Sequence, residues 1–333
     1  TNAREDALRR DFTVNALLLD PSTGEIRDYV GGHEDLAARV IRAIGDPETR
    51  FAEDHLRLLR AVRFAAVLGF AIDPATFAAI QKLAPNIRRI SAERIRDELF
   101  RLLTEAPRAG AALQLLRDAG LLKEILPEIE ALVGVEQPPE FHPEGDVFVH
   151  TKLMLDALPE KPALRLALAV LLHDVGKPPT AQYVTLPDGT QRWRFENHAH
   201  VGADMARAIL ERLRAPNALA DDVCAIIGGH MRIADAPKMR APKLRRLLGA
   251  PTFDDELELH RLDCLSSHAI LDVYEFLKIE QTKFASEPVL PPPLVTGRDL
   301  IALGHAPGPH FSEILRDAYD RQLEGETDKA ALL

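Results

Sequence analysis

An amphipathic pattern of hydrophobic and polar positions predicts one continuous helix over residues 51–64. Asp46-Pro47 supplies an N-cap and a first-turn proline before this pattern, and Gly69 ends it. Apolar residues recur at helical spacing and predict a buried face: Leu58, Val62 and Ala65. Polar residues occupy every third position and wind around the other side as a ridge: Asp54, Arg57, Arg60 and Arg63.

Similar patterns predict that most of the chain is helical, with little strand. Helices are expected at 33–39, after Asp73-Pro74, at 91–103, at 107–127, through much of 147–269 and at 310–325. Extended segments are expected at 13–20, 26–30 and 40–44, with a hairpin-like loop over 183–195. Proline-rich stretches at 137–145 and 291–293 indicate linkers. The predicted fold is therefore mainly α and elongated, with a small α/β portion at the N-terminus.

Composition narrows the class of protein. The net charge of −10 argues against broad, non-specific binding of nucleic acid, although it allows a local basic groove. Cys224 and Cys264 lie far apart in helical patterns, which indicates a reducing, cytoplasmic setting. The longest apolar run, around 163–172, contains Arg165, so we expect no membrane-spanning segment.

Asp54 and Arg57 allow two interpretations. Three residues apart on one helix, they can form an ordinary surface ion pair that contributes a few tenths of a kcal/mol. Alternatively, the carboxylate accepts from the exocyclic amine of a base while the guanidinium donates to a neighbouring ring acceptor. Cytosine and adenine carry that pair of groups, whereas uracil and guanine carry a keto group in place of the amine. The remaining arginines of the ridge would suit phosphates.

Histidines and acids form a second constellation on successive predicted helices or at their ends: His150, His173, Asp174, His198, His230 and Asp263. A single histidine on a helix is usually structural, but this combination favours a metal site. Imidazole and carboxylate ligands suit Mn, Fe, Co, Ni or Zn, with Mg possible on the carboxylate side. Lys177, shortly after the His-Asp pair, could steady a phosphate. The other histidines are interpreted as ordinary, with His200 ambiguous beside His198: His33, His142, His260, His268, His305 and His310.

The N-terminal third resembles the class II tRNA nucleotidyltransferase and poly(A) polymerase family. Arg9-Arg10-Asp11-Phe12-Thr13-Val14-Asn15-Ala16 is followed by Gly31-Gly32 and Asp35-Leu36, and then by Glu53-Asp54-x-x-Arg57. The resemblance extends to about Pro127, and the stretch from Pro292 to Gly325 resembles the tail of the tRNA-adding members. It implies nucleotide-binding roles, with CTP or ATP as the nucleotide, for Arg10, Asp11, Asn15, Glu53, Asp54, Arg57, Arg60 and Arg63. His55 stands where proline is usual in the family, with little expected consequence.

The family's Gly-Gly-x-Val-Arg-Asp phosphate loop and its Asp-x-Asp pair for catalytic Mg²⁺ are expected before Arg9, and this sequence does not contain them. We therefore expect the chain to be a fragment that begins within the nucleotidyltransferase head and adds no nucleotides by itself. The resemblance implies Mg²⁺ as the cofactor of nucleotidyl transfer, with ligands outside this chain.

Residues from about Val147 to Ala269 resemble the HD phosphohydrolase superfamily. The resemblance implies core metal ligands at His150, His173, Asp174 and Asp263, with His198 and His230 at positions used by some two-metal members. It implies catalytic roles for Asp174 and Lys177, and a transition metal such as Mn²⁺ or Ni²⁺. The expected domains are a head remnant at 1–32, a nucleotide- and RNA-binding neck and body at 33–136, an HD domain at 146–270 and a helical tail at 271–333.

Together these features predict a tRNA 3′-end nucleotidyltransferase with a metal-dependent HD domain, whose partners are the tRNA 3′ end, ATP and CTP. Two alternatives remain open: an HD phosphatase or phosphodiesterase whose N-terminal helices bind RNA, and a non-catalytic RNA-binding fragment. The sequence does not separate CCA addition from A addition or poly(A) synthesis, and it does not give the oligomeric state.

Overall fold

The protein is described here from a computed structural model, covering residues 2–284 and 288–333. Helices dominate, as predicted. They are α1 Ala3–Arg9, α2 Gly32–Ala38, α3 Pro47–Glu53, α4 Leu56–Leu68, α5 Pro74–Leu83, α6 Ala92–Glu105, α7 Ala109–Asp118, α8 Leu122–Ile125, α9 Pro127–Glu130, α10 Val147–Asp156, α11 Leu164–Leu172, α12 Lys177–Thr180, α13 His198–Arg212, α14 Asn217–Gly229, α15 Ala241–Leu248, α16 Phe253–Ser266, α17 Asp272–Thr282, α18 Gly297–Ala302, α19 His310–Leu323 and α20 Lys329–Leu332.

Strands in the described residues form three small two-stranded sheets. They are β1 Leu18–Leu19, β2 Ile26–Arg27, β3 Val40–Ile41, β4 Ala71–Ile72, β5 Ala181–Thr185 and β6 Gln191–Phe195. The β1–β2 and β5–β6 pairs are antiparallel, and β3–β4 is parallel. The β5–β6 hairpin confirms the hairpin predicted over 183–195. Short 3₁₀-helices occupy Thr13–Asn15, Ala84–Arg89 and His230–Lys238.

The chain divides into two compact units. The first comprises Thr1–Gly228 and Leu262–Ala269, and the second comprises Gly229–Arg261 and Ile270–Leu333. Within the second unit, one apolar cluster forms around Phe253 and Leu277, and another around Leu300 and Ala318. The domain borders predicted from the sequence stay predictions. No helix among the described residues has the length and apolar character needed to cross a membrane.

The continuous helix predicted over 51–64 is interrupted. At Asp54 the backbone is extended, with φ −154° and ψ 104°, and it separates α3 from α4. The Asp54 carboxylate accepts from the Leu56 N–H at 3.1 Å, and the Asp54 carbonyl accepts from the Arg57 N–H at 3.1 Å. A short acidic side chain that satisfies the first N–H groups of a new helix competes with continuation of the old one. The predicted buried face is confirmed, because Leu58 and Val62 are fully buried and Ala65 is nearly so.

The strand predicted over 13–20 is also wrong for its first half. Residues Thr13–Asn15 form a 3₁₀ turn, in which Asn15 Oδ1 accepts from the Phe12 N–H at 3.1 Å. This local hydrogen bond offers the backbone an alternative to a sheet ladder. Only Leu18–Leu19 pair as a strand, with Ile26–Arg27.

The Gly31-Gly32 pair serves close packing of the N-terminal segment. Gly31 has φ +82°, a conformation that side chains with a Cβ rarely adopt. A Cβ at Gly32 would lie 2.3 Å from the carbonyl oxygen of Thr13. The Thr13 hydroxyl donates to buried Asp35 at 2.6 Å, so this glycine lets α2 approach the 3₁₀ turn.

Candidate functional site

Five of the predicted metal-binding residues belong to the first compact unit. His150 lies on α10, His173 and Asp174 follow α11, His198 begins α13, and Asp263 lies near the end of α16. The His150 and His173 ring centres are 5.6 Å apart. His150 Nε2 lies 3.1 Å from Asp263 Oδ1, and His173 Nε2 lies 3.0 Å from Asp174 Oδ2. We call these five residues the histidine centre.

His150 lies between two carboxylates. Its Nδ1 is 2.6 Å from Glu144 Oε1, and Asp263 lies on the opposite side of the ring. Burial disfavours the imidazolium, but Asp263 and Glu144 outweigh burial and raise the pKa of His150 to about 9. Burial also opposes ionisation of Asp263, yet contact with His150 lowers the pKa of Asp263 far below its ordinary value.

Asp174 is a buried carboxylate surrounded by nitrogen atoms. Lys177 Nζ lies 2.8 Å from Asp174 Oδ2, and His198 Nε2 lies 3.6 Å from Asp174 Oδ1. Burial opposes its ionisation, but His173 and Lys177 hold the pKa of Asp174 well below its ordinary value. These neighbours therefore favour the ionised form of Asp174 inside the fold.

The backbone fixes two of the imidazoles. His173 Nδ1 is 2.9 Å from the Val170 carbonyl, and His198 Nδ1 is 2.7 Å from the Phe195 carbonyl. A carbonyl only accepts hydrogen bonds, so Nδ1 must carry the proton in each ring. In the neutral forms the lone pair then lies on Nε2, which is the arrangement that metal-ligating histidines adopt.

Gly176 allows this part of the centre to close. A Cβ on Gly176 would lie 2.2 Å from the carbonyl oxygen of His198 and 2.6 Å from the amide nitrogen of Gly202. The backbone after Asp174 and the first turn of α13 can therefore touch only because Gly176 has no side chain. This contact brings His198 to Asp174.

The residues of the histidine centre fit a divalent metal. Among the described residues, His150 Nε2 and Asp174 Oδ2 are buried without a partner in hydrogen-bond geometry, although charged groups lie near both. His150, His173 and Asp174 each offer one ligand atom within 4.8 Å of the others. Mixed imidazole and carboxylate donors suit transition metals.

His230 belongs to the second compact unit, at the start of the 3₁₀-helix His230–Lys238, and is buried there. Its predicted metal role stays a prediction. Lys177 is buried, and its Nζ donates to Gln137 Oε1 at 2.6 Å besides lying beside Asp174. In this arrangement Lys177 is directed to Asp174, and its predicted contact with a phosphate stays a prediction.

A second polar site joins the N-terminal segment to α4. Asp11 accepts from Arg57 Nε at 2.8 Å and from Arg60 Nε at 2.6 Å. Arg57 also donates to Glu53 Oε2 at 2.7 Å and to the Arg50 carbonyl at 2.7 Å. One carboxylate therefore orients two guanidinium groups, and we call these residues the Asp11 network.

Asp54 and Arg57 do not form the surface ion pair that the sequence allowed. Asp54 is paired with Arg94 of α6, at 2.7 Å, while Arg57 is directed to Asp11 and Glu53. The break between α3 and α4 separates the two side chains, because Asp54 lies before the first turn of α4. Their predicted joint reading of a base is untested.

Three other residues predicted to bind nucleotide, Arg10, Asn15 and Arg63, differ in their exposure and in their hydrogen-bond partners. Arg10 is exposed and pairs with Asp6, and its carbonyl accepts from Arg50. Asn15 caps the 3₁₀ turn, as described above. Arg63 is 3% exposed and donates to Glu98 at 2.5 Å, so it packs within the fold here. Its predicted contact with a nucleotide is untested.

Family profiles match three segments of the chain. The poly(A) polymerase head domain matches residues 1–42, and the probable RNA- and SrmB-binding site of polymerase A matches 69–132. The HD domain matches 146–267. An A-adding tRNA nucleotidyltransferase of Deinococcus radiodurans is 36% identical over 344 residues, which cover 98% of this chain and 76% of that protein. The chain belongs to the tRNA nucleotidyltransferase and poly(A) polymerase family.

Other relatives extend beyond the matched region. A multifunctional CCA protein of Halorhodospira halophila is 40% identical over 242 residues, or 71% of this chain, and one of Vibrio cholerae is 37% identical over 251 residues, or 74%. The chain spans 55% and 59%, respectively, of the length of these two relatives.

Solved structures of the tRNA nucleotidyltransferase family agree with the fold. The CCA-adding enzyme of Bacillus stearothermophilus in complex with CTP has a TM-score of 0.72 at 28% identity, over 99% of this chain and 74% of that chain. The Thermotoga maritima CCA-adding enzyme complexed with tRNA has a TM-score of 0.58 at 19% identity, over 99% and 72% of the two chains. The second likeness shows the fold alone.

Sequence reasoning missed three residues that this member of the family places beside its histidine centre. Gln137, His142 and Glu144 all lie in the proline-rich stretch predicted to be a linker. His142 Nδ1 is 2.9 Å from Glu144 Oε1, and its ring centre is 4.9 Å from that of His150. Burial, together with the charge of Lys177, lowers the pKa of His142. The only signal was a histidine and an acid two residues apart, just before α10.

Proposed function

We propose that this chain takes part in the addition of nucleotides to the tRNA 3′ end, and that it binds CTP and ATP as the incoming nucleotides. The observation that carries the proposal is the Asp11 network, which connects the head-domain segment to α4 through Arg57 and Arg60. The three segments matched by head, RNA-binding and HD profiles support it.

The Asp11 network gives each residue a role in binding. Asp11 fixes the directions of both guanidinium groups, which lowers the entropy lost when they meet a nucleotide. Arg57 and Arg60 are 13% and 29% exposed, so both can reach a ligand from the edge of the fold. A planar guanidinium suits phosphates or the acceptor edge of a base. Mg²⁺ is the cofactor that we propose for the transfer itself.

A nucleotide-binding experiment tests this proposal. CTP, ATP, UTP and GTP are titrated into the protein, with and without tRNA that lacks its 3′-terminal nucleotides. We expect CTP and ATP to bind more tightly than UTP and GTP, and Asp11→Ala to weaken both. Equal binding of all four nucleotides, unchanged in Asp11→Ala, would contradict the proposal.

We propose a second activity for the histidine centre, the metal-dependent hydrolysis of a phosphoester. Two buried atoms favour it: His150 Nε2 and Asp174 Oδ2 have no partner in hydrogen-bond geometry. When bound, a divalent metal such as Mn²⁺ or Ni²⁺ supplies Lewis acidity and lowers the pKa of water. His150, His173, Asp174 and Asp263 would hold it, with His198 beside Asp174.

The chain's own residues prepare the centre for this chemistry. His173 and Lys177 lower the pKa of Asp174, and the two backbone carbonyls hold His173 and His198 with Nε2 directed toward Asp174. In the hydrolysis, a water oxygen forms a bond to phosphorus while one bond from phosphorus to an ester oxygen breaks. The proton lost by the water ends on the leaving oxygen.

Metal analysis and hydrolysis assays test this activity. The protein is loaded with Mn²⁺, Ni²⁺ or Mg²⁺ and supplied with bis(p-nitrophenyl) phosphate. His173→Ala and Asp174→Ala should lose both bound metal and hydrolysis, whereas His305→Ala, an exposed histidine far along the sequence, should keep both. Absence of bound metal and of hydrolysis with all three ions would leave the histidine centre a structural cluster.

A further inference from the structure

A cavity of about 500 Å³ lies between the β5–β6 hairpin and the proline-rich stretch before α10. We call it the hairpin pocket. Its walls come from segments 136–146 and 183–193, both within the first compact unit. The residues that matter here are Glu136, Glu140, His142, Tyr183, Arg192 and Trp193.

Aromatic side chains form one wall of the hairpin pocket. Tyr183 and Trp193 are cross-strand partners, with ring centres 5.1 Å apart. Tyr183 is 57% exposed. Trp193 is the only tryptophan of the 333-residue sequence. Exposed aromatic faces are the surfaces on which nucleobases stack, whatever their sequence.

Charges around the pocket decide which part of a nucleotide it accepts. Glu136 Oε2 accepts from Trp193 Nε1 at 3.1 Å, which fixes both groups. Glu140 lies 3.5 Å from Arg192, so one acid of the lining is partly neutralised. The acidic lining repels a phosphate, whereas the free lone pairs of Glu136 accept from an exocyclic amine.

The hairpin pocket adjoins the histidine centre through one side chain. His142 lines the pocket, and its ring centre lies 4.9 Å from that of His150. Glu144 lies within hydrogen-bond distance of Nδ1 of both histidines. The pocket therefore adjoins the histidine centre across the His142 ring.

We propose that the hairpin pocket is a nucleobase subsite that receives an amine-bearing base while the attached phosphoester lies at the histidine centre. This inference rests on the hydrolytic function proposed above and names its substrate class: a nucleoside phosphoester, free or at the end of an RNA. The base stacks on Tyr183 and Trp193, and Glu136 accepts from its amine. The phosphate lies away from the acidic lining.

Trp193 provides a direct test that needs neither metal nor turnover. Because it is the only tryptophan, its fluorescence reports on the hairpin pocket alone. AMP, CMP and UMP are titrated into the full chain. We expect saturable quenching, tightest with AMP and CMP. Tyr183→Ala should weaken AMP binding about 5- to 150-fold, the range observed for the loss of one stacking contact.

Two further variants control for loss of folding. Tyr29→Ala removes another exposed tyrosine, outside the pocket, and should leave AMP binding unchanged. Glu136→Gln should reduce the preference for AMP over UMP while quenching persists, because the amide no longer offers two accepting oxygens. Absence of quenching with every nucleotide in wild-type protein would overturn the inference.

A steady-state experiment separates this inference from the proposed hydrolysis. With Mn²⁺-loaded protein, Tyr183→Ala should raise KM for adenosine 2′,3′-cyclic phosphate and leave the rate with bis(p-nitrophenyl) phosphate unchanged. Hydrolysis of both substrates with no change in KM would overturn the subsite and leave the hydrolytic function standing. Quenching by nucleotides without hydrolysis of either substrate would contradict the proposed phosphoester hydrolysis, while nucleobase binding in the hairpin pocket would still stand. Comparing the free nucleotide with a short RNA carrying the same end shows which source binds more tightly.

Discussion

Glu144 and His150 are joined by a short contact, with Glu144 Oε1 2.6 Å from His150 Nδ1. The carboxylate holds the ring and places its Nε2 toward Asp263. Glu144 thus has the position of an outer carboxylate behind a histidine that we propose as a metal ligand, where it would fix the tautomer and raise the basicity of that ligand.

Replacing Glu144 should therefore weaken metal binding. We expect Glu144→Leu to lower the affinity for Mn²⁺ about 10- to 100-fold, as is typical for such outer partners. Glu144→Gln should lose less, because its amide oxygen still accepts from Nδ1. Titration calorimetry and the absorption spectrum of Co²⁺-loaded protein give the readouts, with exposed Glu140→Gln as the control. Identical affinity and spectrum in Glu144→Leu would show that His150 is held by packing alone.

Metal binding should release a proton near neutral pH. The pKa of His150 is about 9 in the metal-free fold, so this ring is protonated at pH 7 and must lose its proton to coordinate. The apparent affinity should rise up to tenfold per pH unit until about pH 9 and then level off. Calorimetry in buffers with different ionisation enthalpies counts the protons released. A count of zero at pH 7 would contradict the assignment of His150 as a ligand.

The same raised pKa makes the stability of the metal-free protein depend on pH. The ordinary pKa of histidine is 6.5, and the folded value is higher, so protonation of His150 favours the folded state. This contribution is fully present below about pH 6.5 and is lost as the pH rises through about 9. Bound metal should remove the dependence.

Arg63 and Glu98 form a buried ion pair whose rupture should destabilise the fold. Their side chains are 3% and 8% exposed. Glu98→Ala leaves the guanidinium buried without its main carboxylate, and we expect the free energy of unfolding to fall by about 3–5 kcal/mol. Urea unfolding measures it. Arg101→Ala, which removes a more exposed pair on the same helix, should change it by less than about 1 kcal/mol.

A double replacement distinguishes a structural Arg63 from one that binds nucleotide. Arg63→Met combined with Glu98→Leu should restore most of the lost stability, because neither charge is then buried alone. If Arg63 serves only packing, CTP and ATP binding should be retained in this variant. Loss of nucleotide binding at restored stability would instead support the role implied by the family resemblance.

Asp54 should contribute to selection among nucleotides. In Asp54→Ala the acceptor for an exocyclic amine is lost, and we expect the preference for CTP and ATP over UTP and GTP to fall by about 1–3 kcal/mol. Arg94→Ala removes the partner of Asp54 in that ion pair but keeps the Asp54 carboxylate as an acceptor, so the preference for CTP and ATP should persist. Equal losses in the two variants would mean that the Asp54–Arg94 pair matters and base reading does not.

The sequence determined much of this protein by local rules. Caps and periodicity predicted α5 after Asp73, the hairpin around Asp188-Gly189 and the buried face of α4, because these depend on neighbouring residues. The residue types of the proposed metal site could also be read from the sequence, since ligand chemistry is a property of the side chain itself.

The tertiary structure decided the partners of those side chains. Residues 137–145 carry turn residues and no periodicity, so the sequence indicated only a linker, whereas the fold brings Glu144 to His150 and Gln137 to Lys177. The sequence predicted a continuous helix through Asp54, because hydrophobic periodicity does not show where a side chain caps a new helix and ends the previous one. Ion-pair partners such as Asp11 and Arg57 lie 46 residues apart. Only the packing of helices brings such groups within hydrogen-bond distance, because the reach of a side chain is a few ångströms and the order of residues fixes no distance between remote segments.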